Sequence, residues 1–199
     1  MANKVNLIEV EHAIRKRGLR LFSPLELQRI LGISAIAARF LVHRYAKRGV
    51  FLKLRNGLYC LADQPPSELV LANRLYEPSY ISFEFALSHH HLIPEAAYVI
   101  TSATTRPTRA LTALGKTFEY HRLKKSVFTG YEPVKMGAET VLMAVPEKAV
   151  IDTLYFADLR KKELNDRLDL RTLSGKRLRS YAQLFERPSL LQLLKKVMG

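Results

Sequence analysis

The sequence predicts an α+β protein. Three observations carry this. The first fifty residues hold apolar side chains at helical spacing with capping signals between them. An Asn56-Gly57 pair separates two short apolar runs. Beyond a proline-rich break, runs rich in Val, Ile, Phe and Tyr alternate with helical patterns.

Leu7, Val10, Ile14 and Leu21 set the buried stripe of a first helix that ends near Gly18. Ser23-Pro24-Leu25-Glu26 opens the second. Ser23 is placed to cap it, Pro24 suits its first position, and Glu26 stands where a capping box needs an acid. Leu27, Ile30 and Leu31 form its inner face. Gly32 breaks that helix, and Ser34 caps a third over Ala35–Arg48, stopped by Gly49. Phe51–Leu54 and Leu58–Leu61 read as strands. Asn56-Gly57 between them predicts a type I′ turn, with positive φ at both positions. Helix, helix, tight turn, helix, hairpin is the order of a winged helix-turn-helix. This places a DNA-binding domain at residues 1–62.

Asp63-Gln64-Pro65-Pro66-Ser67 is the expected linker. A mixed α/β C-terminal domain is expected over 68–199. It begins with a helix over Ser67–Tyr76 and a second, capped by Ser82, over Phe83–His90. Strands are expected at Ala97–Thr101, Thr117–Leu123 and Thr140–Val145, and a helix from Pro146 to Ala157. Thr104–Arg109 reads as a loop, and Leu178–Met198 as helix interrupted at Pro188.

The charge is uneven. The chain of 199 residues carries a formal net charge of +14, and a pI near 10.0. Residues 1–62 hold 12 Lys or Arg against 3 Glu, so most of the excess sits in the first third. Such a surface suits a polyanion, above all nucleic acid. No run of about 18 apolar residues is present, so no membrane-spanning segment is expected. The segment Met1–Gly18 has acids among its apolar residues, unlike a signal peptide. Cys60 is the single cysteine, which excludes an internal disulfide and fits a reducing cytoplasm.

On the third helix, Ala38, Leu41, Val42 and Tyr45 are expected to face inward. Ser34, Ala35, Arg39, His43, Arg44 and Lys47 are the expected DNA-binding residues, at the helix end and faces that address a major groove. Arg39 is the foremost base-reader, because guanidinium reaches two acceptors of guanine at once. Lys47, Lys53 and Arg55 suit phosphates, and Arg55-Asn56-Gly57 is the wing tip. Double-stranded promoter DNA is the expected partner.

Other constellations are weaker. His89-His90-His91 cannot all face one ion from a regular helix, where successive side chains point about 100° apart, so no metal is assigned. Glu84, Glu139, Glu147, Asp152 and Asp158 show no catalytic spacing, and Asp152 reads as a polar edge or hydrogen-bonding residue. No Walker loop, G-x-S-x-G or G-x-G-x-x-G occurs, so neither catalytic residues nor a cofactor are assigned. The alternative reading is a metal-dependent nucleic-acid enzyme with Glu84 and the histidines beside another carboxylate. Arg106, Arg109, Arg122, Lys124 and Lys125 form a second basic set, open to nucleic acid, protein or solvent. Arg160-Lys161-Lys162 and Arg177–Arg179 read as exposed charges.

Pro78-Ser79-Tyr80-Ile81-Ser82-Phe83-Glu84-Phe85-Ala86-Leu87, His91-Leu92-Ile93-Pro94-Glu95 and Val145-Pro146-Glu147-Lys148-Ala149-Val150-Ile151-Asp152, behind the N-terminal pattern, resemble the AbiEi antitoxins of abortive-infection (type IV toxin–antitoxin) systems. The resemblance runs through about Ala157. It implies a repressor that binds repeats in its own promoter through the winged helix. It also implies a C-terminal domain that counteracts a co-encoded nucleotidyltransferase toxin, without need of a stable complex. Residues 82–95 and 146–152 are then chiefly scaffold.

Overall fold

A computed structural model describes residues 6–137 and 139–199. The chain is mixed α+β and divides into two compact units, one running to Ser67 and the other covering Glu68–Gly199.

The first unit is three helices and a hairpin: α1 (Leu7–Lys16), α2 (Pro24–Leu31), α3 (Ala35–Lys47), β1 (Phe51–Arg55) and β2 (Leu58–Leu61). Side chains set the helix starts. Asn6 and Glu9 close a capping box on α1, and Ser23 and Glu26 close one on α2, with Pro24 in its first turn. Gly32, at φ +62°, turns the chain into α3. Val10, Ile14, Phe22, Leu27, Leu41, Val42, Tyr45, Phe51 and Leu61 form one core, in which Phe51 meets the rings of Phe22 and Tyr45 edge-on. Leu21 is buried but lies past the end of α1. Phe22 and Tyr59 exchange both backbone hydrogen bonds at 2.9 Å, tying the segment between α1 and α2 to the hairpin.

The hairpin does not close with a type I′ turn. Only Gly57, at φ +77°, has a positive φ, and Asn56 does not. The register slips between Lys53 and Arg55, so a bulge supplies the twist that a primed turn would have supplied.

The second unit is built on a six-stranded mixed sheet of order β5-β6-β4-β3-β8-β7. The strands are β3 (Ser79–Ile81), β4 (Ile100–Thr104), β5 (Arg109–Ala113), β6 (Lys116–Arg122), β7 (Tyr131–Met136) and β8 (Glu139–Ala144). β3 pairs antiparallel with β4 and parallel with β8, and β4 pairs parallel with β6. β5 and β7 close the edges as antiparallel partners of β6 and β8. Pro133, which has no N–H to give a ladder, lies on edge strand β7. The helices are α4 (Glu68–Leu75), α5 (Phe83–His89), α6 (Pro146–Asp158), α7 (Gly175–Gln183) and α8 (Pro188–Met198). α4 packs on β3 and β8, α5 on α6 and β4, and α7 and α8 on α6.

Several expectations need correction. The strand expected at Ala97–Thr101 is Ile100–Thr104, because pairing with β3 and β6 rather than local propensity sets its limits. The loop after it stops at Thr108, since Arg109 already pairs with Tyr120 in β5. β3, β5 and β7 were not expected. Among the described residues, no helix is long and apolar enough to cross a membrane.

Candidate nucleic-acid interface

The face of α3 away from its core is the most cationic helical surface of the first unit. Ala38, Leu41, Val42 and Tyr45 are buried. At about 100° per residue, the stripe opposite them is Ile36, Phe40, His43 and Lys47, spaced four, three and four. All four are exposed. Arg39 and Arg44 flank this stripe on opposite sides, about 70° away by the same helical spacing. α3 carries no Asp or Glu.

The expected residues on α3 and at its start fall into three groups. Arg39, His43 and Lys47 are exposed, and among the described residues none pairs with them. Ser34 and Ala35 stand at the helix start, where Ser34 Oγ accepts from the Ala37 N–H at 3.1 Å. The cap uses an acceptor lone pair, so the Ser34 hydroxyl proton stays available to an incoming oxygen. Arg44 is turned toward its own helix. Its Nη2 donates to Tyr45 Oη at 3.3 Å and its guanidinium lies 4.9 Å from that ring's centre. Arg44 is exposed at the stripe's margin, with its guanidinium resting on the Tyr45 ring.

Lys53, Arg55 and Asn56 are exposed on the hairpin. Arg55 Nη1 donates to the Asn56 carbonyl at 3.1 Å, which holds the guanidinium over the turn. Ile36 and Phe40 were missed. They are the only large apolar residues exposed on α3, and a helical wheel drawn on Ala38, Leu41, Val42 and Tyr45 places both outward.

The second unit holds a different arrangement. Lys148 and Asp152, one turn apart on α6, form an ion pair with no exposed side-chain surface. Asp152 Oδ2 also accepts from Tyr80 Oη at 2.9 Å and Ser82 Oγ at 2.8 Å. Burial pushes the Asp152 carboxyl above the usual carboxylate range, opposed by Lys148, Ser82 and Tyr80. Burial, reinforced by the Asp152 charge, also raises the Tyr80 phenol well above its ordinary value. Asp152 is thus the centre of a closed polar network and not a polar edge. Ser82 spends its hydroxyl there, so it makes no side-chain cap on α5.

The remaining candidates separate. His90 Nε2 lies 2.8 Å from the Ala144 carbonyl, and His91 has left the helix at φ +56°. Glu84 is held by Lys162 at 2.7 and 2.9 Å. Lys162 is correspondingly a half-buried clamp, over the Phe83 ring, and not an exposed charge. Among the described residues, no three His, Cys, Asp or Glu side chains converge to hold a metal ion. Arg106 stacks 4.3 Å from the Tyr76 ring centre, while Arg109, Arg122, Lys124 and Lys125 are exposed at one end of the β5–β6–β4 region.

No protein-family model matches the chain, and no curated protein matches it in sequence. The functional reading therefore rests on the residues. An exposed helical face with three unpaired cationic or ionisable side chains, a capped N-terminus of small residues and a basic hairpin can receive phosphate and base-edge acceptors together.

Proposed function

We propose that this chain is a transcriptional repressor that binds double-stranded promoter DNA through its first unit, read as a winged helix-turn-helix. The observation that carries the reading is the outward face of α3. Arg39, His43 and Lys47 stand exposed on a helix without an acid, whose opposite face is sealed in the core. In this reading the N-terminal half of α3 enters a major groove, with Arg39 at base edges. Lys47, Lys53 and Arg55 meet the phosphates, and Asn56 lies at the wing tip. Repression is steric: bound protein occupies the promoter.

We further propose that the repressor is a cytoplasmic antitoxin of the type IV, abortive-infection kind, controlling its own operon and counteracting a nucleotidyltransferase toxin through the second unit. The support is the resemblance of residues 78–95 and 145–152 to AbiEi antitoxins. In the fold these segments supply β3, α5 and α6, whose Tyr80, Ser82, Lys148 and Asp152 meet in the buried network. They serve as scaffold for whatever surface neutralises the toxin.

The test is fluorescence-anisotropy binding of the full chain to duplex DNA from directly upstream of its own gene, against random duplex of equal length, over several salt concentrations. A preference of about a thousandfold that survives physiological salt supports the reading. Equal, steeply salt-sensitive binding to both duplexes sinks it.

A further inference from the structure

Ile36 and Phe40 are 67% and 73% exposed, although they sit at the centre of the outward stripe of α3. Polar residues at these positions would cost the fold nothing, since neither side chain belongs to the core of the unit. Arg39 lies one turn from Ile36 and His43 one turn from Phe40, with Lys47 a further turn on, so exposed cationic or ionisable groups border the apolar pair on its C-terminal side. Ala35 and Ala37, small and exposed, leave the start of the helix open to close approach.

A partner that complements this face carries anionic groups beside an apolar one. The major groove of a duplex has that pattern only where thymine occurs. Phosphates border the groove, and the C5-methyl of thymine is the one apolar group that an ordinary base presents there. An anionic membrane surface shares the charge. It would require a continuous apolar helix face, however, and the broader apolar face of α3 is already buried in the core.

We infer that Ile36 and Phe40 are specificity-determining residues that read thymine methyl groups in the major groove, one helical turn apart. This rests on the DNA-binding reading above and deepens it. Arg39 addresses guanine acceptors, while Ile36 and Phe40 select thymine at neighbouring positions. The preferred site is therefore mixed in composition, with thymines at fixed steps from a guanine.

The test begins with selection of bound duplexes from a randomised pool by the full chain. Each thymine of the enriched duplex is then replaced by deoxyuridine, which pairs identically but lacks the methyl group. At one or two positions the replacement is expected to weaken wild-type binding about fourfold, the equivalent of one buried methyl. In Phe40→Ala or Ile36→Ala the same replacement is expected to have no effect, and in Phe40→Leu to keep part of it. Thermal melts of the variants establish that each is folded, as expected for side chains outside the core.

A uracil penalty that is absent in the wild type, or equal in wild type and both alanine variants, overturns the inference while leaving DNA binding in place. A pool in which no duplex is enriched overturns the DNA-binding reading and this inference with it. Binding to phosphatidylserine vesicles that Phe40→Ala abolishes, with DNA binding unchanged, assigns the pair to a lipid surface and likewise overturns it.

Discussion

The ammonium of Lys148 meets the carboxylate of Asp152 one turn along α6, at a point where neither side chain reaches solvent. Two hydroxyls, from Tyr80 on β3 and Ser82 just after it, complete the shell of the acid. The ion pair lies within α6, and the two hydroxyl donors tie that helix to the central strand.

Removing one partner strands the other. Lys148→Met leaves a buried carboxylate without its counter-charge and is expected to destabilise the second unit by about 3–5 kcal/mol. Lys148→Met with Asp152→Leu is expected to recover only part of this, because the Tyr80 and Ser82 hydroxyls then lose their acceptor. Denaturant titration of the single and double variants reads the difference. Equal stability of Lys148→Met and wild type would show that the pair adds nothing.

His121 gives the second unit an acid sensitivity. Its ring lies between Phe83 and Phe156, with Lys162, Glu84 and Glu119 as the charged groups around it. Burial, with Lys162 reinforcing and Glu84 opposing, lowers it from 6.5 to about 4. Between those values the unfolded chain binds the extra proton and the folded chain does not, so stability rises with pH across that window. The contribution of His121 is fully present above about 6.5, and on the order of 3 kcal/mol is lost as pH falls through 4. His121→Phe is expected to flatten this part of the profile. Thermal melts from pH 4 to 7.5 check it, and an unchanged slope in the variant would assign the loss to other groups.

Cys60 is fully buried in the hairpin strand β2, and burial raises its thiol from 9.0 to about 11. At pH 8 the thiolate fraction is on the order of one in a thousand. A disulfide-exchange reagent is expected to leave Cys60 almost untouched in the native protein and to modify it at once in guanidinium. Rapid native modification would show that the hairpin opens readily.

The two kinds of DNA contact separate by salt. Arg39→Ala is expected to cost about 1–3 kcal/mol on the preferred duplex and to relax its sequence preference. Lys53→Ala is expected to weaken binding to all duplexes and to reduce the slope of log K against log salt by about 0.9. An Arg39→Ala protein with unchanged preference would remove Arg39 from base reading.

The first unit was legible because its signals are local. Ser23 and Glu26 lie three residues apart, Ser34 caps its own helix, and Asn56-Gly57 marks the hairpin. The turn type was misread, since the bulge between Lys53 and Arg55 depends on how β1 and β2 pair, and Leu21 falls past the end of α1. In the second unit the decisive relationships are remote. Ser82 looks like a cap until its acceptor, seventy residues away, is in place. β3 is three residues long and wholly buried, so it has no alternation to read. β5 is largely exposed and β7 contains Pro133, so each becomes a strand only through its partner. Ile36 and Phe40 are legible in the sequence, because the helical spacing that turns Ala38, Leu41, Val42 and Tyr45 inward turns both of them outward.

The position of β3 also dictates an order of events during synthesis. Its antiparallel neighbour β4 follows about twenty residues later, whereas its parallel neighbour β8 is joined through Ile81 and Met143, some sixty residues on. A ribosome that has released the chain only as far as β6 exposes a half-built sheet with one flank of β3 open, a template for pairing with other nascent chains. Closure waits for β8, and α6 with its charge pair emerges immediately behind it. Between the release of β6 and that of β8, one flank of β3 therefore stands without its ladder partner.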